Sequence, residues 1–200
     1  MLEGLMQHDH PLTLQHLLGR MRGLNARAQV VTLTGEGTER ATHGDVAERV
    51  DRLASALASL GVGAGDRVAT FAWNNQRHLE VYLAAPCMGA VLHTLNIRLF
   101  AEQLTYIVNH AQDKVILVDA SLVPVLEKLA PSFETVEHFV VMGDGDHGSL
   151  PSAKATSSCW PPRGRATTTR RSTTTRPRAC ATRAAPPATR RASCTRTARA

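Results

Sequence analysis

Leu60-Gly61-Val62-Gly63-Ala64-Gly65-Asp66-Arg67-Val68-Ala69-Thr70-Phe71-Ala72 takes the chain out of a helix, round a tight turn and into a strand, and this succession decides the fold. Gly61 supplies the helix stop, because a residue without Cβ closes a helix C-terminus in the left-handed conformation at no steric cost. Gly63-Ala64-Gly65-Asp66 reads as the turn. Residues 67–72 read as a short, mostly apolar strand buried on both faces, as strands of a parallel sheet are. Upstream, Val46, Val50, Leu53, Leu57 and Leu60 recur at helical spacing in one continuous stripe, with Thr42 placed to cap that helix.

The pattern extends in both directions. Thr13 can cap a helix carrying Leu14, Leu17, Leu18 and Met21 and ending near Gly23. Residues 30–34 read as a strand that turns at Gly35-Glu36-Gly37-Thr38 into a second, more polar strand, forming a small hairpin. Beyond the deciding stretch, Asn75 starts a helix with its body at residues 78–85, and Pro86 predicts a kink or an early stop. Residues 91–95, 114–118 and 138–142 read as strands, and residues 101–110 and 122–129 as helices. Alternation of this kind predicts an α/β fold, a mainly parallel sheet with helices on both faces plus the hairpin. No strand-to-helix turn carries a phosphate-cradling glycine loop, and Trp73-Asn74-Asn75 contains no glycine at all, so this sheet is not a self-sufficient nucleotide site.

From Ser152 onward the composition breaks. Residues 152–200 contain no Asp, Glu, Val, Ile, Leu, Met, Phe or Tyr. Their eleven arginines and Lys154 carry +12, so the chain's net +6 leaves −6 on residues 1–151. Ordering a residue costs about 1–2 kcal/mol of backbone entropy, and this stretch has almost no apolar surface to offset it, which predicts a disordered tail. The chain therefore divides into a partial N-terminal α/β domain over residues 1–150 and an Arg/Thr/Ala/Pro-rich tail over residues 151–200.

Cysteine usage indicates neither a disulfide framework nor a zinc site: Cys87 stands alone in the body, and Cys159, Cys180 and Cys194 lack close paired spacing. The amino terminus is acidic and His-bearing, with no basic n-region and no long apolar core, unlike a signal peptide. No run approaches the roughly 20 apolar residues that span a bilayer. The expectation is a cytoplasmic protein without a transmembrane segment.

The deciding stretch, followed by Trp73-Asn74, by Met88-Gly89-Ala90-Val91-Leu92-His93-Thr94-Leu95-Asn96 and by Arg98-Leu99, resembles the start of an acyl-CoA synthetase. Glu102-Gln103-Leu104, Tyr106-Ile107-Val108-Asn109-His110-Ala111 and residues 115–119 are similar to the family's next helix and strand, in the same order. The resemblance runs over residues 11–150 and is to medium- and long-chain fatty acid ligases of the AMP-binding, adenylate-forming superfamily. Ile97 departs from the proline often found between that Asn and Arg. The resemblance implies a two-step ligase, in which ATP and a fatty acid give an acyl-adenylate and pyrophosphate before coenzyme A forms the thioester. It implies ATP, Mg and CoA for the full-length enzyme, and fatty acid, ATP and CoA as partners by family only. In the family a Ser/Thr/Gly-rich loop ending in a lysine cradles the ATP phosphates shortly beyond the stretch matched here. Other acidic, Arg and Lys residues needed for both steps lie further on.

Where that loop belongs, residues 180–197 contain no glycine. The genetic code offers a test, since each codon of the neighbouring frame is the last base of one codon and the first two of the next. Ala, Thr and Pro fix those two bases as GC, AC and CC. Reading residues 181–192 in this way, eleven consecutive positions admit Y-T-S-G-T-T-G-N-P-K-G, followed by a stretch compatible with V-L-Y-S-H. That string is the family's adenylate-loop signature. Residues 156–162 likewise admit Y-E-x-L-L-A-A. A frameshift between about Leu150 and Thr156 accounts for both, and for the Ala/Arg/Pro/Thr bias as out-of-frame reading of a GC-rich gene. The same composition suits a second reading, an α/β domain with a basic tail that neutralises nucleic-acid phosphates. Trp160 is the tail's only aromatic, which leaves little for base stacking, and no specific nucleic acid is expected.

Within the body, no residue is assigned a catalytic, cofactor-binding or metal-binding role. His93 and His110 lie in segments with no carboxylate or nucleophile at suggestive spacing, and Ser121 and Ser132 lack a nucleophile-elbow context. Cys87 reads as a small core residue. Asp113, Asp119, Asp144 and Asp146 read as solvated turn or strand-end carboxylates, and His8, His10 and His147 as exposed. The chain is expected to be inactive by itself and to expose apolar surface that the rest of the enzyme would cover.

Overall fold

A computed structural model describes residues 13–143 apart from residue 36, together with residues 150, 151 and 153–155. The neighbouring-frame loop, His8, His10, Asp144, Asp146, His147 and most of the tail expected to be disordered fall outside the described residues, but residues 153–155 of that tail are described and form a strand, against the expectation.

Helix α1 (Leu14–Arg22) starts at Thr13, whose backbone is extended as a cap requires but whose side chain makes no capping bond. Strands β1 (Gln29–Thr34) and β2 (Gly37–Thr42) form the antiparallel hairpin. Helix α2 (His43–Ser59) begins with a full capping box, in which Thr42 accepts from the Asp45 amide and the Asp45 carboxylate accepts from Thr42. Its end is as regular. Gly61, at φ +82°, donates to Ala58 O and Val62 donates to Leu57 O, the paired bonds of a Schellman close that needs a left-handed residue at this position.

The deciding strand, β3 (Arg67–Phe71), follows. Helix α3 (Gln76–Cys87) is capped by the Asn75 side chain, which accepts from the His78 amide at 2.9 Å. Pro86 lies within the helix, which ends one residue later at Cys87. Pro86 occupies the last turn, where only one intrahelical donor is forgone and the chain is about to leave the helix at Gly89, φ +90°. Next come β4 (Val91–Thr94), α4 (Ala101–Ala111), β5 (Asp113–Asp119), α5 (Val123–Glu127) and β6 (His138–Met142). The helix read over residues 122–129 is broken into α5 flanked by two short 3-10 turns, Ala120–Leu122 and Ala130–Ser132, with prolines in the first turns of α5 and of the second. A further strand, β7 (Ala153–Ala155), was not foreseen.

Strands β3 to β7 form one five-stranded sheet in the order β4-β3-β5-β6-β7, and every neighbouring pair is parallel. Side-chain alternation divides the core. Val115 and Leu117 of β5 join Val68, Val140 and Met142 against Val46, Val50, Leu53 and Leu57 of α2 and Val81 of α3. Ile116 and Val118 join Ala69, Phe71, Phe139 and Val141 against Leu104 and Val108 of α4 and Val123 and Leu126 of α5. Burial of each such side chain stabilises the fold by roughly 1.5–3 kcal/mol.

A polar network lies inside the first of these layers. Glu80 of α3 is wholly buried and ion-paired to Arg49 Nε of α2 at 2.8 Å. Gln76 Nε2 donates to Glu80 Oε1 at 2.7 Å, and the Gln76 amide donates to Thr32 Oγ1 of β1 at 3.1 Å. The network ties both helices to the hairpin. Nearer the surface, the Gly63 amide (2.9 Å) and Lys114 Nζ (3.0 Å) both donate to Asp66 Oδ2 and hold that carboxyl below its ordinary range.

Removing one partner of a buried pair strands the other. Arg49→Met is therefore expected to cost about 3 kcal/mol in urea unfolding. Adding Glu80→Gln, which discharges the stranded group and keeps an acceptor for Gln76, should recover much of the loss. Asp66 acts in the acid range: its depressed folded value means that the stability it contributes is present above about pH 4 and fades as pH falls through the folded value. Asp66→Asn should flatten the acid limb, seen as a smaller difference between urea midpoints at pH 7 and pH 3 than in the wild type.

Candidate functional site

In open α/β sheets ligands bind outside the carboxyl ends of the strands, at the point where strand order reverses. Here β3 is followed on one side by β4 and on the other by β5, so the reversal lies at the carboxyl ends of β3 and β5. Side chains close that crevice. Trp73 Nε1 donates to Ser121 Oγ at 3.0 Å, and Asn75 Nδ2 donates to Asp119 Oδ2 at 2.9 Å. Asp119 also accepts from the Ser121 amide and hydroxyl through Oδ1.

The open space lies one strand over. A groove of about 680 Å³ runs along the carboxyl ends of β3 and β4. Trp73 and Asn74, after β3, and residues 94–98, at the end of β4 and after it, line it together with His78 and Tyr82 of α3 and Leu33 of the hairpin. Among the described residues that line it, Arg98 is the cation and none is a carboxylate. His78 is 6 % exposed and its Nε2 lies 2.9 Å from Thr70 Oγ1, itself 1 % exposed. Burial pushes the His78 imidazole down from its ordinary value, opposed by the Trp73 backbone and the Asp119 charge, so the neutral ring is favoured. This pair joins α3 to β3 beside the groove. The described residues offer the groove the rings of Trp73 and Tyr82, amide groups and a guanidinium: equipment for binding, with no accessible nucleophile beside a base among them.

The structure places the residues weighed from the sequence as follows. Two expectations are corrected. His93 does have a carboxylate partner: its Nδ1 lies 2.8 and 2.9 Å from the two oxygens of Asp113. A separation of twenty residues concealed the contact, which forms because β4 and β5 flank the same strand. Asp113 is not a solvated turn residue but fully buried at the start of β5, and burial pushes its carboxyl up against the opposing pull of His93 and Arg67. Asp119 is half-buried and engaged as described. His110 is exposed and stacks on Tyr106 at 5.4 Å. Ser132 is exposed at the end of its 3-10 turn, where its carbonyl accepts from Asn109. Cys87 is buried in the core. Trp73, Asn74, Asn96 and Arg98 drew attention in the sequence only as points of resemblance. Their positions directly after the first and second strands of the sheet were the signal that could have grouped them.

The comparisons agree with this architecture. The profile of the AMP-binding enzyme family matches residues 22–184. A long-chain-fatty-acid–CoA ligase of Thermus thermophilus is 49% identical over 138 residues, covering 68% of this chain and 25% of the relative. A medium-chain-fatty-acid–CoA ligase of Ectopseudomonas oleovorans is 46% identical over 117 residues, or 58% of this chain and 21% of the relative. Among solved structures, the coronafacic acid ligase of Pectobacterium brasiliense shares the fold with a TM-score of 0.66 at 16% identity, over 74% of this chain and 29% of that one. The chain thus spans about a quarter of the length of the curated relatives it matches. On its sequence and its fold alike, the chain belongs to the AMP-binding enzyme family.

Proposed function

We propose that the chain is the amino-terminal portion of a medium- or long-chain fatty acid–CoA ligase whose reading frame is lost between about residues 150 and 156. By itself it carries out neither adenylation nor thioester formation. The observation that supports this most is the 49% identity with a ligase of which the chain covers only 25%, next to a tail whose neighbouring frame admits the adenylate loop. The described residues do not fit ATP and its metal. The loops after β3 and β5 contain no glycine, and their side chains bond to one another across the crevice. Among the described residues, no group of three or more His, Cys, Asp or Glu converges to hold a metal ion. ATP, Mg and CoA therefore belong to the frame-restored enzyme, whose loop glycines and lysine would hold the phosphates. Exposed Leu33, Phe100 and Tyr106 suit a portion whose remainder would cover them. We place the chain in the cytoplasm; among the described residues no helix is long and apolar enough to cross a membrane.

The +12 charge of residues 152–200 favours a second reading, an α/β domain with a basic, phosphate-binding tail. One experiment separates the two. The nucleotide sequence across codons 150–200 is read, and one or two bases are inserted or deleted near codon 150. The ligase reading expects a long open frame containing the loop signature and the appearance of fatty-acid-dependent ATP–pyrophosphate exchange, absent from the unaltered chain. A neighbouring frame closed by stop codons, together with salt-dependent retention on nucleic acid that disappears when residues 152–200 are removed, would overturn it in favour of the second.

A further inference from the structure

Strand β4 is four residues long and, among the described residues, lies at the edge of the sheet, hydrogen-bonded to β3 alone. A strand so short and one-sided has little main-chain bonding to hold it, and Val91 at its start is half exposed. Its carboxyl end nevertheless leads directly into residues 95–98, which line the groove. Something other than the ladder has to keep that lining in place.

His93 does this across the width of β3. Its register partner there is Ala69, whose single methyl leaves the imidazole room to cross, and its Nδ1 reaches both carboxylate oxygens of Asp113 on β5. The flank is anchored in turn. Arg67, the β3 partner of Asp113, donates through Nε to Ala111 O at 2.7 Å and through a terminal nitrogen to Gln112 O at 2.9 Å, fastening the end of α4. Thr135 Oγ1 donates to Asp113 O at 3.0 Å. One side chain from each of three adjacent strands thus meets beneath the crossover helix that joins β4 to β5.

We propose that His93 and Asp113 are positioning residues for the groove: they strap β4 across β3 to β5 and so fix the rim at residues 94–98. The strap serves any ligand the groove holds, and the measurement needs no turnover, so its outcome is separate from that of the ligase reading. Hydrogen exchange is followed in the full chain, comparing residues 91–98 with β6, and Trp73 emission is recorded in a Trp160→Phe background, which leaves Trp73 as the sole tryptophan. His93→Leu should speed exchange at residues 91–98 about tenfold or more, as expected for loss of a charge-assisted bond. It should also shift Trp73 emission and leave β6 unchanged. His93→Gln, which can still donate to Asp113, should restore most of the protection. Asp113→Asn, which keeps the shape and an acceptor but not the charge, should give a smaller acceleration confined to the same segment and serves alone if His93→Leu does not fold. Unchanged exchange at residues 91–98, acceleration of β6 to the same degree, or a Gln variant no better than Leu would overturn the strap.

Discussion

Strand β3 has no free edge and no wet face: it is hydrogen-bonded to β4 on one side and β5 on the other, and its residues Val68 to Phe71 are at most 1 % exposed. Parallel neighbours cannot be reached through a tight turn, so both β4 and β5 must be entered from a crossover helix. Because they lie on opposite sides of β3, right-handed crossovers put those helices on opposite faces. That single constraint sends Val81 of α3 into one core layer and Leu104 and Val108 of α4 into the other. It also requires a strand apolar in both directions, which is what residues 68–71 supply.

A layer this dry tolerates polar groups only when each finds a partner, since an uncompensated buried charge costs several kcal/mol. The partners come from other elements. Thr70 meets His78 across the β3–α3 connection, Glu80 of α3 meets Arg49 of α2, and Asp113 of β5 meets His93 of β4. Such pairs add little net stability relative to apolar packing, and their effect is on geometry. An imidazole over Ala69 or a guanidinium against Glu80 permits one register of one element on the next, where methyl groups permit several. The groove depends on these contacts, because His78 lines it and Thr94, the residue after His93, begins the stretch at the end of β4 that lines it.

The fold was largely legible in the sequence because its signals are local. The stripe of Val46, Val50, Leu53 and Leu57, the stop at Gly61 and the apolar run of β3 are each complete within a few turns of chain, and the alternation of strand and helix then selects a parallel sheet. What was not legible depends on strand order. Nothing in the spacing of Arg67, His93 and Asp113 reveals that three consecutive strands of the sheet bring them together, so Asp113 read as a turn residue and His93 as isolated. The groove escaped notice for the same reason, since Trp73 and Arg98 become neighbours only once β4 is set beside β3. Pro86 illustrates a different point. Its cost depends on how many turns remain after it, and α3 ends one residue beyond it, with Gly89 at φ +90° following.

Strand β7 bears on where likeness to the family ends. It pairs with β6 through main-chain groups over residues 153–155, within the interval in which we infer the frame to be lost. Parallel pairing is made by N–H and C=O groups that every residue but proline carries, so a three-residue strand continues a sheet with almost no demand on side-chain identity. A phosphate-binding loop makes the opposite demand. It requires glycines where the backbone must approach the ligand and a lysine where charge must be met, and one altered base count replaces all of them at once. On the reading proposed above, main-chain pairing at β7 makes no demand that a change of frame would break, whereas the loop that adenylation needs would be lost with the frame. On that reading the boundary that matters for function is set by the codons and not by the last hydrogen bond of the sheet.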